Sequence, residues 1–323
     1  MQIVAVDIGG THARFAIARV GGDGSVALDK PVTLQTRDHA SLQTAWERFA
    51  EIQDRILPRA VAIAIAGPIG GEVIRFTNNP WIIRPQRICE TLHVDRFTLV
   101  NDFEAVAHAV ASAADDEFLH LHGPERSLPQ TGVLSVIGPG TGLGVAQLWR
   151  DGSGGYRVQA TEGGHIEFAP IDLIDDAILD RLRQRHQRVS VERVVSGPGI
   201  VEIYHALATL KGKTVTEADD RILWERGISR CDSLAAAAVD RFCLTLGSVA
   251  GDLALAQGAG GVVIAGGLGY RIRETLLASG FSARFAAKGR FESMMSELPV
   301  KLIAQAQPGL HGAVRAFIQD QTR

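Results

Sequence analysis

The stretch Asp7–Arg14, which reads DIGGTHAR, decides the fold of this chain. An apolar run at 3–6 precedes it as a buried strand would, and a second apolar run at 15–17 follows it. The pattern predicts a hairpin whose tight turn carries two glycines and a threonine. Glycines let backbone N–H groups approach an anion closely, and a hydroxyl beside them can donate to a phosphate oxygen. We therefore predict phosphate binding by Gly9, Gly10 and Thr11.

An acid, Asp7, stands immediately before this predicted phosphate loop. A carboxylate and a phosphate repel each other unless a cation lies between them. Mg²⁺ is commonly held by one or two carboxylates together with substrate phosphates, and it keeps several of its waters. We therefore predict that Asp7 positions Mg²⁺ through water.

A second copy of the pattern lies more than a hundred residues further on. The strand-like stretch at 134–137, apolar except for Ser135, leads into the loop Gly138–Gly144 (GPGTGLG), and apolar residues leave it. A plain glycine turn would explain either copy alone, but two copies favour phosphate binding. They indicate two related half-domains that each present a phosphate loop to a shared cleft. The predicted contacts of the second loop are Gly138, Gly140, Thr141 and Gly142.

The composition excludes several classes of protein. The chain has 323 residues, is 46% apolar and 21% charged, and carries a formal charge of -3. These values are ordinary for a globular protein and give no reason to expect nucleic acid or an anionic membrane surface as a partner. Three scattered cysteines without a Cys-x-x-Cys motif predict reduced thiols in the cytoplasm. No stretch is expected to approach the roughly 20 apolar residues of a membrane span.

Strand and helix patterns alternate up to about residue 112 and again after the second glycine loop. Ser41 is predicted to open a helix whose apolar face runs to Ile56, with Pro58 closing it. A long helix is predicted near 232–257, and a last helix at about 310–318. This alternation is typical of an α/β chain in two lobes.

Asn101 and Asp102 lie where the predicted buried strand at 97–100 meets a helix. A carboxylate at that edge of a sheet is in a favoured ligand position, and the helix N-terminus helps to keep it ionised. An ionised acid can accept a proton from an attacking hydroxyl. The alternative is that Asp102 only caps its helix.

The segment Thr161–Phe168 (TEGGHIEF) places two glycines between Glu162 and His165. The glycines allow a sharp turn that could direct both side chains at one small polar ligand. A sugar suits them, because each hydroxyl both donates and accepts hydrogen bonds. A metal pair and a solvated loop are the alternatives, although a metal would need more ligands nearby.

The paired loops resemble those of the sugar kinase, Hsp70 and actin superfamily. The motifs between residues 4 and 267, in this order, resemble the bacterial glucokinase family. That resemblance implies a two-lobed, actin-like ATPase fold, related to ribonuclease H, with a sugar and ATP cleft between the lobes. It also implies that the last helix returns to the first lobe. The small domain would then comprise 1–112 plus about 306–323, and the large domain 113–305.

The resemblance also implies individual roles. Asp102 would be the general base, and Glu192, which alone reads as an acid in a first helical turn, would be a sugar contact. Gly266 and Gly267 would pack against adenosine. Two residues depart from the family pattern, His12 in place of Asn and Pro139 in place of a small residue. The implied sugar contacts are Asn101, Asp102, Glu162, His165, Glu192 and Asn79.

These roles together predict an enzyme that phosphorylates glucose at its 6-hydroxyl with ATP and Mg²⁺, releasing ADP. A kinase for another hexose or an amino sugar is one alternative. A catalytically weak sugar-sensing regulator and an actin-like or chaperone-like ATPase are the others. The resemblance further implies a cytoplasmic homodimer.

Overall fold

The structure, a computed structural model, describes residues 1–67, 69–76, 79–215 and 219–321. The chain divides into two compact units. The first comprises Met1–Ala113 and Gln305–Arg323, and the second comprises Ala114–Ala304.

The first unit is built on a six-stranded sheet in the order β3-β2-β1-β5-β8, with β4 also paired to β2. β1 runs antiparallel to β2 and parallel to β5, and β5 runs parallel to β8. β1 and β5 are almost wholly apolar and buried, as strands covered on both faces must be. The strands are β1 (Gln2–Ile8), β2 (His12–Val20), β3 (Val26–Leu28), β4 (Val32–Gln35), β5 (Ala60–Ile65), β6 (Ile74–Arg75), β7 (Ile82–Ile83) and β8 (Arg96–Asn101).

The helices of this segment are α1 (Leu42–Gln53), α2 (Ile88–Leu92) and α3 (Asp102–Ser112). Ser41 caps α1 as predicted, because its side chain accepts from the N–H of Thr44 and the Thr44 hydroxyl accepts from the N–H of Ser41. The predicted extension of α1 to Ile56 is wrong. The helix ends at Gln53 and is followed by Asp54, a cap residue in a left-handed conformation with φ of 47°, and Ile56 is 96% exposed. Apolar spacing continued past the point where the backbone had already left the helix.

The second unit is built on a six-stranded sheet in the order β12-β11-β10-β13-β14-β9. β10 runs antiparallel to β11 and parallel to β13, which in turn runs parallel to β14. The strands are β9 (Phe118–His122), β10 (Thr131–Pro139), β11 (Leu143–Asp151), β12 (Tyr156–Thr161), β13 (Ala259–Ile264) and β14 (Val300–Ile303).

Helices pack around this second sheet, and the longest of them, α7 (Ser233–Gln257), contributes many residues to the apolar core of the unit. They are α4 (Leu173–Arg183), α5 (Gly199–Leu210), α6 (Asp220–Ile228), α7 (Ser233–Gln257), α8 (Gly266–Arg271), α9 (Arg273–Ala278), α10 (Phe281–Ala286) and α11 (Glu292–Ser296). The expectation that no stretch approaches a membrane span is wrong on length and composition, because α7 meets both criteria. Its apolar window is 83% buried inside the unit, as the core helix of a globular protein is.

The last helix, α12 (Pro308–Gln321), belongs to the first unit. It packs on α3 and on the central strands of the first sheet. Leu310, Ala313 and Phe317 are buried there in one cluster with Ile3 and Ala5. The first unit therefore completes its core with residues from the far end of the sequence.

The two sheets share one topology. In each, a glycine-turn hairpin is extended on one side by a third antiparallel strand and on the other by two parallel strands. This duplication agrees with the two related half-domains that the paired sequence motifs predicted.

Candidate active site

The first glycine loop joins β1 to β2 and is held by its carbonyl groups. The Gly9 N–H donates to the carbonyl of His12 at 2.9 Å, which closes the turn. The Asn79 amide donates to the Gly9 carbonyl at 3.3 Å, and the Thr36 hydroxyl donates to the Gly10 carbonyl at 3.0 Å. Among the described residues, no protein partner is recorded for the N–H groups of Gly10 and Thr11. These two amides are therefore available to an anion.

Asp7 lies on β1 just before this loop, directly opposite Arg14 on β2. The Arg14 guanidinium reaches the Asp7 carboxylate at 3.1 Å. Burial raises the pKa of Asp7, and the nearby Arg14 charge only partly opposes that rise. The hydrogen bond to Arg14 uses Oδ2, and no protein partner of Oδ1 is recorded among the described residues. One carboxylate with a free oxygen, beside a phosphate loop, fits an Mg²⁺ ion that keeps most of its waters.

Within the part of the chain that the structure describes, no group of three or more His, Cys, Asp or Glu side chains could hold a metal ion. A metal centre built entirely from protein ligands is therefore absent from these residues.

Asn101 and Asp102 sit at the junction between β8 and α3, as the sequence predicted. Asn101, rather than Asp102, is the helix cap: its Oδ1 accepts from the N–H groups of Phe103 and Glu104 at 2.9 and 3.1 Å. Its amide nitrogen also donates to the carbonyl of Gly67 at 3.1 Å. One N–H of the Asn101 amide is left for a ligand.

Asp102 is the first residue of α3 and is partly exposed. Its Oδ1 accepts from the N–H of Phe103 at 2.9 Å. The helix N-terminus favours the ionised carboxylate, which is the form that can accept a proton. Because Asn101 caps the first turn of α3, the backbone that carries this carboxylate is held in place.

Asn79 lies just before β7, and the two residues that precede it, 77 and 78, lie outside the described residues. Asn79 is 6% exposed, and its Oδ1 accepts from the N–H of Trp81 at 2.9 Å. Trp81 is itself buried and donates from its indole to the carbonyl of His39 at 2.8 Å. Like Asn101, the Asn79 amide bonds protein with its oxygen and with one N–H, but its whole side chain is buried. This geometry favours a bracing role for Asn79 over the predicted sugar contact.

The second glycine loop joins β10 to β11 and is gripped from the segment at 191–199. The Gly140 N–H donates to the Gly142 carbonyl at 2.8 Å, and the Gly197 N–H donates to the Gly140 carbonyl at 2.7 Å. The Glu192 carboxylate accepts from the N–H of Leu143 at 2.9 Å. Among the described residues, no protein partner is recorded for the N–H groups of Thr141 and Gly142.

The glycine turn after β13 packs directly on the end of β10. Gly266 has a φ of 85°, which favours glycine, and a Cβ placed there would lie 2.9 Å from the carbonyl oxygen of Pro139. Gly267 follows it in the first turn of α8. The structure thus brings the predicted adenosine turn together with Gly138 and the second phosphate loop.

The turn of Glu162 and His165 needs both of its glycines for packing. A Cβ on Gly163 would clash with the Val145 side chain, and one on Gly164 would overlap the carbonyl oxygen of Leu143. Both contacts lie at the start of β11, next to the second loop. Glu162 Oε2 lies 3.8 Å from His165 Nε2, and the side chains are 73% and 56% exposed. Both groups are therefore open to a ligand.

A cavity of about 270 Å³ lies in the second unit beside these groups. Thr141, His165 and Glu192 all line it, so the structure brings a threonine of the predicted phosphate loop and two predicted sugar contacts to one space. His186 and Arg193 also line the cavity, and their side chains lie 3.1 Å apart.

Sequence reasoning did not identify Arg14, Thr36 and Gly197. Arg14 could have been found, because a tight hairpin with Gly9–Thr11 at its tip places residue 14 opposite residue 7. Thr36 and Gly197 reach the loops from 26 and 57 residues away, and local patterns carry no signal for such contacts.

A duplicated α/β fold with two glycine hairpins, a carboxylate at a strand–helix junction and an acid–imidazole turn defines an actin-like sugar kinase. The sequence model of the Glucokinase family matches residues 4–320. The chain belongs to the glucokinase family.

Relatives support this assignment along the whole chain. A glucokinase from Zymomonas mobilis is 56% identical over 317 residues, which cover 98% of each chain. The crystal structure of a glucokinase from an Antarctic psychrotroph aligns with a TM-score of 0.84 at 33% identity, covering 98% of this chain and 99% of that one. A glucokinase of the ROK family from Streptomyces griseus, solved with glucose and AMPPNP, aligns with a TM-score of 0.65 at 18% identity, covering 99% and 100%.

These findings confirm the predicted family, the actin-like two-lobed ATPase fold and the predicted enzyme class. The protein is a kinase that phosphorylates glucose.

Proposed function

We propose that the protein transfers the γ-phosphoryl group of ATP to the 6-hydroxyl of glucose, with Asp102 as the general base. In this step O6 gives its proton to the Asp102 carboxylate and forms a bond to the γ-phosphorus. The bond from that phosphorus to the β,γ-bridging oxygen breaks, and ADP leaves. The position of Asp102 at the tip of β8, on the first turn of α3, is the observation that carries this proposal.

The sugar is held by side chains that can both orient it and read its hydroxyls. Asn101 offers one amide N–H, and Glu192 offers Oε1, because Oε2 is bonded to Leu143. Glu162 and His165 present an exposed carboxylate and imidazole in one turn. The three carboxylates of Asp102, Glu162 and Glu192 suit a neutral polyol, since each accepts hydrogen bonds from hydroxyl groups. For Asn79 we propose a positioning role in place of direct sugar contact.

The phosphates are held mainly by backbone amides. In the first loop Gly10 and Thr11 supply N–H groups, and in the second loop Thr141 and Gly142 do so. Asp7 would position Mg²⁺ through water, and the ion would neutralise charge that develops on the phosphates. Little covalent work is needed in phosphoryl transfer, so catalysis by these residues comes from alignment and charge placement. Gly266 and Gly267 are proposed to pack against the adenosine.

A cytoplasmic homodimer is proposed on the family resemblance. Cys89, Cys231 and Cys243 are all free thiols in the structure, which suits a reducing compartment. Burial raises the pKa of Cys243 to about 12, so this thiol is unreactive. Light scattering on the purified chain would measure its mass directly, and a monomer at micromolar concentration would contradict the dimer.

The test is a coupled assay of ADP release with ATP and Mg²⁺ across a panel of hexoses and amino sugars, comparing wild type with Asp102→Asn. We expect glucose to be the preferred acceptor and kcat to fall by about 10² or more in the variant. Glu104→Gln is the matched control, because Glu104 is a carboxylate on the same helical turn whose burial raises its pKa. Turnover by Asp102→Asn close to that of the control would contradict the base assignment.

The same assay separates the remaining alternatives. Faster turnover with another hexose or an amino sugar would replace glucose as the preferred substrate. Binding of glucose by calorimetry without turnover would indicate a sugar-sensing regulator and direct attention to His12 and Pro139. Analysis of the product by NMR identifies the phosphorylated hydroxyl, and phosphate at any position except C6 would contradict the proposed regiochemistry.

A further inference from the structure

Glu192 contacts the second glycine loop as well as the cavity beside it. Its Oε2 accepts from the N–H of Leu143 at 2.9 Å, although the two residues are 49 positions apart. Oε2 also occupies the space over Gly142, where a Cβ would overlap it. The absence of a side chain at 142 is therefore what allows the carboxylate to reach the loop amide.

The segment that carries Glu192 is itself anchored to the loop and to the core. The Gly197 N–H donates to the Gly140 carbonyl at 2.7 Å. The Gly197 carbonyl in turn accepts from the indole of Trp224 at 2.8 Å, and Trp224 is 1% exposed. Glu192 and Gly197 thus hold the two sides of the loop, one through an N–H group and the other through a carbonyl.

Only one oxygen of Glu192 is used in this contact. Within the described residues, no protein partner is recorded for Oε1. Glu192 also lines the cavity with His165 and Thr141. One carboxylate therefore touches the loop with one oxygen and can offer the other to a ligand in the cavity.

Glu162 provides the contrast. It lies in the neighbouring turn and is also a proposed sugar contact, but its recorded partner is His165 at 3.8 Å. In the part of the chain that the structure describes, no contact of Glu162 with the second glycine loop is recorded. Glu192 therefore has a hydrogen bond to the second glycine loop, and among the described residues Glu162 has none.

We propose that Glu192 is a positioning residue for the second phosphate loop and that it couples sugar binding to nucleotide binding. Removal of its carboxylate leaves the Leu143 amide without its acceptor and frees the loop to rearrange. Sugar bound to Oε1 fixes the same carboxylate and so favours the loop conformation that receives phosphate. By linkage, each ligand then raises the affinity of the enzyme for the other by the same factor.

The coupling rests on the proposed function, in which Glu192 contacts the sugar. The positioning role does not, because it is tested without sugar. Calorimetry measures the affinity of Mg²⁺-AMPPNP in the absence of glucose for wild type, Glu192→Ala, Glu192→Gln and the control Glu162→Ala. Glu192→Ala is expected to bind Mg²⁺-AMPPNP about 5-fold or more weakly. Glu162→Ala is expected to stay within about 2-fold of wild type, as an independent site would.

The conservative variant gives a signature that general destabilisation would not. The Gln side chain keeps an oxygen that can accept from the Leu143 N–H, so Glu192→Gln is expected to restore most of the Mg²⁺-AMPPNP affinity. The amide cannot also offer a second carboxylate oxygen to a sugar, so KM for glucose is expected to stay raised. Wild-type Mg²⁺-AMPPNP affinity in Glu192→Ala would overturn the positioning role, whatever its KM for glucose.

A reciprocal variant tests the coupling and covers the case in which Glu192→Ala does not fold. In Gly142→Ala the added methyl group displaces Glu192 Oε2, although position 142 lies in the phosphate loop. Glucose affinity measured without nucleotide is expected to fall about 5-fold or more. Unchanged glucose affinity in this variant, with Mg²⁺-AMPPNP affinity reduced, would show that the loop and the sugar site are independent and would overturn the coupling.

Discussion

In the first glycine hairpin, neutral side chains hold carbonyl oxygens: Asn79 and Thr36 donate to Gly9 and Gly10. In the second hairpin a carboxylate holds an amide, because Glu192 accepts from the N–H of Leu143. The first arrangement keeps backbone N–H groups free for an anion. The second uses one of them on an anionic side chain.

The second loop also contains Pro139, which has no N–H to donate. We therefore expect the second hairpin, unlike the first, to respond to what occupies the neighbouring cavity. Two loops with nearly the same sequence pattern thus take different roles, and the difference comes from side chains far away in the chain.

Among variants of the two hairpins, the largest expected effect concerns the charge beside the first. Asp7→Asn removes the proposed water-mediated Mg²⁺ contact and should lower kcat/KM by about 10- to 100-fold. Because burial raises the pKa of Asp7, its ionised form costs folding stability at neutral pH. That cost shrinks as pH falls below the raised pKa and is gone below the pKa that Asp7 has in the unfolded chain. The variant should therefore be no less stable than wild type at pH 7.

Steady-state kinetics and urea unfolding at pH 7 and at lower pH check this prediction. Asp38→Asn serves as a control, since Asp38 is a carboxylate of the same unit whose side chain is 62% exposed. A fall in the unfolding free energy of Asp7→Asn large enough to explain its loss of activity would show that Asp7 is needed for the fold rather than for the ion.

The next largest effect is expected at Asn79, whose amide bonds the first hairpin. Asn79→Ala leaves the buried N–H of Trp81 and the carbonyl of Gly9 without their partners, at a cost of about 1–3 kcal/mol in unfolding free energy. Asn79→Asp keeps an acceptor for Trp81 but loses the donor to Gly9. Chemical denaturation measures the unfolding free energy, and KM for ATP reports on the conformation of the first loop. If Asn79→Asp keeps the stability but raises KM for ATP, Asn79 positions the first loop; if it raises only KM for glucose, Asn79 contacts the sugar.

The smallest effect is expected at Thr36, which is 2% exposed and bonds the Gly10 carbonyl. Thr36→Val keeps the shape of the side chain and removes one neutral hydrogen bond, so unfolding free energy should fall by about 0.5–1.5 kcal/mol. KM for ATP should rise less than in Glu192→Ala, because the neighbouring Asn79 brace remains. A larger rise in Thr36→Val would reverse the comparison and make the first hairpin the more sensitive one.

Much of this arrangement follows from local sequence. Both hairpins, the cap at Ser41 and the junction at Asn101 were predictable, because alternation of apolar runs with glycines or capping residues fixes local backbone geometry. The error at Ile56 arose where apolar spacing continued beyond a left-handed residue. The bonds from Asn79 and Glu192 to the loops were not predictable, since they join residues 70 and 49 positions apart. Family resemblance identified these two residues but not what they contact.

The position of α12 also bears on how the protein matures during translation. Leu310, Ala313 and Phe317 cover Ile3 and Ala5, yet the whole second unit is synthesised between these two sets of residues. At about 5–20 residues per second, that interval lasts on the order of tens of seconds. Throughout it, the nascent first unit exposes an apolar sheet face that chaperones can bind. The strand that carries Asp7 and leads into the first glycine loop therefore acquires its packed cover only after residues 310–317 have left the ribosome.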